Sequence, residues 1–129
     1  MTEADLLRVI RLHTEKLFPK SCHNCGNLFA SPRDFLENTS SIGSVISYDA
    51  DGNDWKPADP LGTLGFFNCP CGNTLALGTE GMELQDLWSA MEWVKNHCET
   101  HQTPLENLLN NLREKLYDSI CDATEVKDP

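Results

Sequence analysis

The chain lacks any long apolar run. No stretch of its 129 residues approaches the roughly 20 consecutive apolar residues that a membrane-spanning helix needs. The opening MTEADLLRVIRLHTEKLF mixes acids and bases through its apolar positions and has neither the continuous apolar segment nor the small-residue cleavage site of a secretory signal. Cationic charge is scarce as well. Ten Lys and Arg stand against 20 Asp and Glu, a formal net charge of -10, which argues against a nucleic-acid partner because phosphate neutralisation needs a basic surface. Residues 1–30 carry four basic and three acidic side chains, residues 31–81 two and seven, and residues 82–129 four and ten. A negative field of this kind suits a basic protein surface as partner. Phosphate loop, nucleophile elbow and a guaranteed carboxylate pair are also missing. The expectation is a cytoplasmic, non-enzymatic protein without a membrane segment.

What the sequence does have is cysteine, six residues in all. In the cytosol thiols are kept reduced, so closely spaced cysteines point to metal ligands or redox centres before disulfides. The stretch FFNCPCGNTLAL, residues 66–77, sets Cys69 and Cys71 one residue apart, with Pro70 between them and Gly72 after. A disulfide across so short a spacing would be strained. Upstream, SCHNCGN holds Cys22 and Cys25 as a CxxC followed by Gly26. A CxxCG turn uses the glycine's backbone freedom to aim N–H groups at the sulfurs and bring two thiolates to one point. Cys69-Pro70-Cys71-Gly72 reads as a shortened version of the same turn. Four thiolates at about 2.3 Å complete the tetrahedral shell of zinc and leave no open position for a reacting water, which marks a structural site. Four thiolates also suit a single iron or a [2Fe–2S] cluster, so an electron-transfer or redox-sensing protein is the alternative.

In these two turns the sequence resembles the zinc-ribbon and zinc-knuckle class in general, over residues 20–78. The resemblance implies a four-cysteine site made by Cys22, Cys25, Cys69 and Cys71. The CxC half departs from the class, whose second pair usually has two intervening residues.

Other polar clusters read less specifically. Asp49-Ala50-Asp51-Gly52-Asn53-Asp54 is dense in carboxylates, but an EF-hand loop counted from Asp49 would need glycine and glutamate where Asp54 and Pro60 stand. A solvated hairpin turn through Asp51-Gly52 is expected there. His97 and His101, four apart on a helix, share a face and could hold a second metal, which is the remaining enzymatic alternative. Glu99 is misplaced for the zinc-protease pattern, and the pair also reads as donors facing the C-terminal carbonyls of its helix. His13 and His23 carry weaker versions of the same ambiguity.

The expected fold class is α+β: a small antiparallel sheet with a four-cysteine metal knuckle, flanked by an N-terminal helix and a C-terminal helical pair. One domain suits the length, divided as residues 1–19 (N-terminal helix), 20–81 (metal-binding β region), 82–122 (helical pair) and 123–129 (tail). Leu6, Val9, Ile10, His13 and Leu17 form one side of a helix from about Thr2 to Phe18. Ser31-Pro32 opens a short helix through Asn38. Strands are predicted at Ser44–Tyr48, Leu64–Asn68 and Thr74–Leu77. Beyond Gly81, two helices split by Thr103-Pro104 carry the apolar stripes Leu84, Leu87, Trp88, Met91, Val94, Cys98 and Leu105, Leu108, Leu109, Leu112, Leu116, Ile120. These stripes pack on the first helix and the sheet, or serve partner binding or dimerisation; monomer and homodimer both stay open. Cys98 and Cys121 read as small core residues.

Overall fold

A computed structural model describes the backbone of residues 1–126 and the side chains of residues 1–122. In chain order the elements are α1 (Glu3–Lys16), β1 (Lys20–Ser21), β2 (Leu28–Phe29), α2 (Pro32–Asn38), β3 (Ser40–Ser47), α3 (Tyr48–Asp51), β4 (Thr63–Asn68), β5 (Thr74–Gly78), α4 (Leu84–His101) and α5 (Leu105–Val126). The class is α+β, with an antiparallel β1–β2 ribbon and an antiparallel sheet ordered β3-β4-β5. Among the described residues no helix is long and apolar enough to cross a membrane. The expected tail begins inside α5, which continues to Val126; residues 127–129 lie outside the described residues.

Local chemistry accounts for most of the helix starts. Thr2 accepts from the Asp5 N–H and Asp5 returns the bond to the Thr2 N–H, a capping box at the head of α1, an arrangement worth about 1 kcal/mol. Ser31 caps α2 through the Asp34 N–H, with Pro32 in the first turn. Helix α1 stops at Lys16, short of the expected Phe18, because Leu17 and Phe18 close the last turn by bonding back to Thr14 and Glu15.

The region between β3 and β4 differs from expectation. The predicted Asp51-Gly52 hairpin turn is a single helical turn, α3, capped by Ser47, and Gly52 sits at φ -80, which needs no glycine. Tyr48 belongs to α3, so β3 ends one residue earlier than predicted. The acidic cluster is not uniformly solvated either. Asp49 is buried, and its carboxylate accepts from the N–H groups of Leu61 and Gly62 at 3.0 and 2.9 Å, tying the long loop closed before β4. Buried polar groups need such partners. Trp88, predicted on the core stripe, is half-buried instead. Its Nε1 donates to the Pro57 carbonyl at 2.7 Å and Lys56 Nζ lies 4.9 Å over its ring, so α4 grips that loop from outside.

Strand β3 starts four residues before the predicted Ser44, in a stretch where two serines and a glycine surround a single strand-forming residue, Ile42. It is held from both sides. β4 pairs with it around an irregularity between Ile42 and Ile46, while from α5 Asn110 accepts the Val45 N–H and Arg113 donates to the Gly43 carbonyl. The edge strand is thereby covered.

Two cores result. One joins the helices, with Leu6, Leu87, Met91, Leu108 and Leu112 at its centre. The other holds Phe29, Phe35, Phe67, Leu75 and Leu77 together with Cys22 and Cys69. Phe35 stands edge-on to Phe29 and Phe67 at 5.1 and 4.9 Å between ring centroids, contacts that add about 0.5–1.5 kcal/mol each to area burial. Cys98 is half-buried against the helical core, whereas Cys121 is half-buried and joins neither.

Candidate metal centre

Each cysteine pair sits at the tip of an antiparallel hairpin, the first between β1 and β2, the second between β4 and β5. In the first turn the Cys22 carbonyl accepts the Gly26 N–H at 2.8 Å, and the Cys22 N–H donates to the Asn27 carbonyl at 2.9 Å. In the second the Cys69 carbonyl accepts the Gly72 N–H, and the Cys69 N–H donates to the Asn73 carbonyl, both at 2.8 Å. The bonds correspond one for one, with the second turn a residue shorter. Gly26 and Gly72 take φ of +76 and +93, a region that side chains with a Cβ enter at a cost. The CxC half is thus a contracted knuckle with the same wiring.

The two turns bring all four sulfurs within 4.8 Å of one another. Between the turns, Cys22 and Cys71 stand 3.7 Å apart and Cys25 and Cys69 3.6 Å. A tetrahedron with arms of about 2.3 Å has edges of about 3.8 Å, so the donors are spaced for one ion. Cys22 and Cys69 are buried against the aromatic core; Cys25 and Cys71 face outward.

Two asparagines cross between the turns. Asn73 Nδ2 donates to Cys22 Sγ at 3.5 Å and Asn24 Nδ2 donates to Cys71 Sγ at 3.4 Å. The backbone N–H of Cys25, then the Asn73 amide, favour the Cys22 thiolate and bring its pKa down to about 6 against burial. The Asn24 side chain and the Asn73 N–H lower Cys71 as well. Cys69 goes the other way. The Cys71 N–H favours its thiolate, but desolvation and the three neighbouring sulfurs outweigh that bond and push it up to about 11. Four thiolates this close repel one another strongly unless a cation sits among them. Soft, closely packed sulfur donors of this kind fit zinc or iron.

The other candidates fall elsewhere. His23 lies exposed in the first turn, outside the sulfur cluster. His97 and His101 are near neighbours at the end of α4, ring centroids 4.3 Å apart, with His97 stacked on Trp93 at 4.8 Å. Among the described residues no third His, Cys, Asp or Glu joins them in a ligand-sized group. His13 keeps a buried Nε2 without a hydrogen-bond partner on α1. Asn24 and Asn73 were not predicted as part of the site. A signal for the second existed in the repeated Cys-Gly-Asn of residues 25–27 and 71–73; the crossing of the side chains depends on how the turns face each other. No protein-family model, no curated protein and no solved structure matches this chain.

Proposed function

We propose that the chain is a small zinc-stabilised protein that acts as a protein-binding or regulatory module, with Cys22, Cys25, Cys69 and Cys71 holding one structural zinc ion. The observation that carries this reading is the spacing of the sulfurs, mutually within 4.8 Å, with gaps of 3.6 and 3.7 Å across the two turns. A two-iron cluster divides its four thiolates between two metals and spreads the pairs further apart than one tetrahedron does. A single iron remains chemically equivalent in geometry, and zinc is favoured because closed four-thiolate shells are its usual structural site. The ion would join the β1–β2 ribbon to the β4–β5 hairpin and contribute its binding energy to folding. All four positions of the shell are filled by protein, so the site supplies no reactive water. The net charge of -10, made about two units more negative by four thiolates and one dication, suits a partner with a basic surface in the cytoplasm.

Elemental analysis and the Cys69→Ser variant test this reading. The parent is expected to carry one equivalent of zinc and to be colourless. The variant is expected to lose the metal and the protease resistance of residues 20–81, with circular dichroism keeping much of the helical signal of α4 and α5. Coloured, iron-containing protein would move the redox alternative ahead. A variant that is metal-free yet fully folded would remove the structural role.

A further inference from the structure

The sheet face that meets the helices changes character along its length. At the metal end it presents Phe67 and Leu75, paired across β4 and β5. Toward the other end the same face presents Gly65 beside Leu77, then Thr63 and Ser47, with the Tyr117 hydroxyl of α5 over Gly65. An apolar cavity of about 120 Å³ lies between this end of the sheet and the helices. Gly65 is the informative residue. Its φ lies outside the left-handed range, and a Cβ there would stand 3.6 Å from the Tyr117 hydroxyl and 3.7 Å from the Phe67 ring, ordinary contact distances. Neither backbone geometry nor crowding calls for glycine; the effect of the missing side chain is room. Interiors are otherwise packed nearly as tightly as organic crystals, and an apolar cavity of this size accepts a benzene-sized guest.

Two polar residues of α5, Arg113 and Tyr117, four apart and so on one face, are among the residues lining the cavity. Arg113 is engaged elsewhere: its buried Nε is ion-paired with Glu114 Oε1 at 3.8 Å, and its Nη1 donates to the Gly43 carbonyl. The Tyr117 hydroxyl has no hydrogen bond among the described residues, and its ring packs on Phe67 at 5.8 Å. Apolar walls with a few converging polar groups are the usual make-up of a small-molecule site.

We infer that this cavity binds a small, neutral, ring-sized molecule carrying one hydrogen-bond acceptor, with the acceptor addressed by Tyr117 Oη. The charge of -10 and the adjacent Glu114 disfavour an anion. The site lies on the helical side of the sheet, and the inference does not depend on which metal the cysteines hold.

The test titrates metal-loaded protein with acetophenone, toluene and benzoate, read by fluorescence of Trp55, which lines the cavity, and by thermal unfolding. Acetophenone is expected to bind and raise Tm, toluene to bind about fivefold more weakly for want of the hydrogen bond, and benzoate to bind more weakly than acetophenone. Tyr117→Phe should weaken acetophenone about fivefold and leave toluene unchanged. Ala90→Leu, which extends a side chain into the cavity from α4, should abolish binding of all three; if that variant fails to fold, Gly65→Ala should weaken all three. Absence of binding to the parent at millimolar probe, or undiminished binding to the filled variant, overturns the site. Equal affinity for toluene and acetophenone, unaltered by Tyr117→Phe, overturns the acceptor assignment.

Discussion

Asn73 donates its side-chain amide to the sulfur of Cys22 at 3.5 Å, reaching from the second knuckle to the first. Asn24 makes the converse bond to Cys71 at 3.4 Å. The two bonds orient a ligand on each hairpin by a residue on the other, so the turns are matched before any ion joins them. Groups that orient metal ligands typically change affinity by 10–100-fold when removed. Asn73→Ala is therefore expected to keep the stoichiometry of metal and weaken its binding by about tenfold, measured by competition with a chromogenic chelator. Unchanged affinity would mean that the amide only fills space.

The glycines separate two kinds of turn. Gly72 sits at φ +93 with nothing within 4 Å of an added Cβ, so Gly72→Ala meets backbone strain but no clash. A loss of about 1–2 kcal/mol in the metal-loaded protein is expected. Gly52, at φ -80 with only ordinary contacts around an added Cβ, should accept alanine at no loss, since the substitution also restricts the unfolded chain. Urea melts of the two variants side by side decide it; equal losses would contradict the conformational assignment of one of them.

Asp49 offers a test away from the metal. Its buried carboxylate is the acceptor for two backbone N–H groups, and hydrogen bonds to charged groups contribute about 1.5–3 kcal/mol. Asp49→Ala should lower stability by about 2–3 kcal/mol without altering the metal content. Calcium dependence of the parent's stability, lost in this variant, would instead revive a cation site in the loop.

Alkaline pH should act through Tyr117. Burial, the largest influence, raises its pKa well above the ordinary tyrosine value, Arg113 opposing and Glu114 adding to the shift. The unfolded chain gives up this proton near pH 10 while the folded chain retains it. Over that window the unfolded state binds fewer protons, so stability is complete below pH 10 and falls as pH rises, by at most about 1.4 kcal/mol per pH unit from this group. Tyr117→Phe should remove that share of the alkaline slope. Parallel stability-against-pH curves for parent and variant between pH 9 and 11 would argue against the burial effect.

The knuckles, the α2 start, the β4–β5 hairpin and the helical pair were legible in the sequence because each is written in near neighbours: a Cys-Gly spacing, a Ser-Pro pair, a period of two or of 3.6. One candidate site residue after another follows from that local code, down to the correspondence between CxxCG and CxCG. Other features were decided only when the chain closed on itself. Ser40–Gly43 becomes strand because β4 pairs with it and α5 covers its edge. Asp49 turns from a solvated acid into a buried staple because the Leu61 and Gly62 N–H groups arrive from across a loop. Trp88 leaves the core stripe for the Pro57 carbonyl. In each case the deciding partner lies many residues away, and a backbone or indole N–H must find an acceptor wherever the fold places one. Periodicity alone carries no trace of that requirement. The meeting of four sulfurs belongs to both levels: their pairing was local, while their convergence within 4.8 Å required two hairpins from different sheets to face one another.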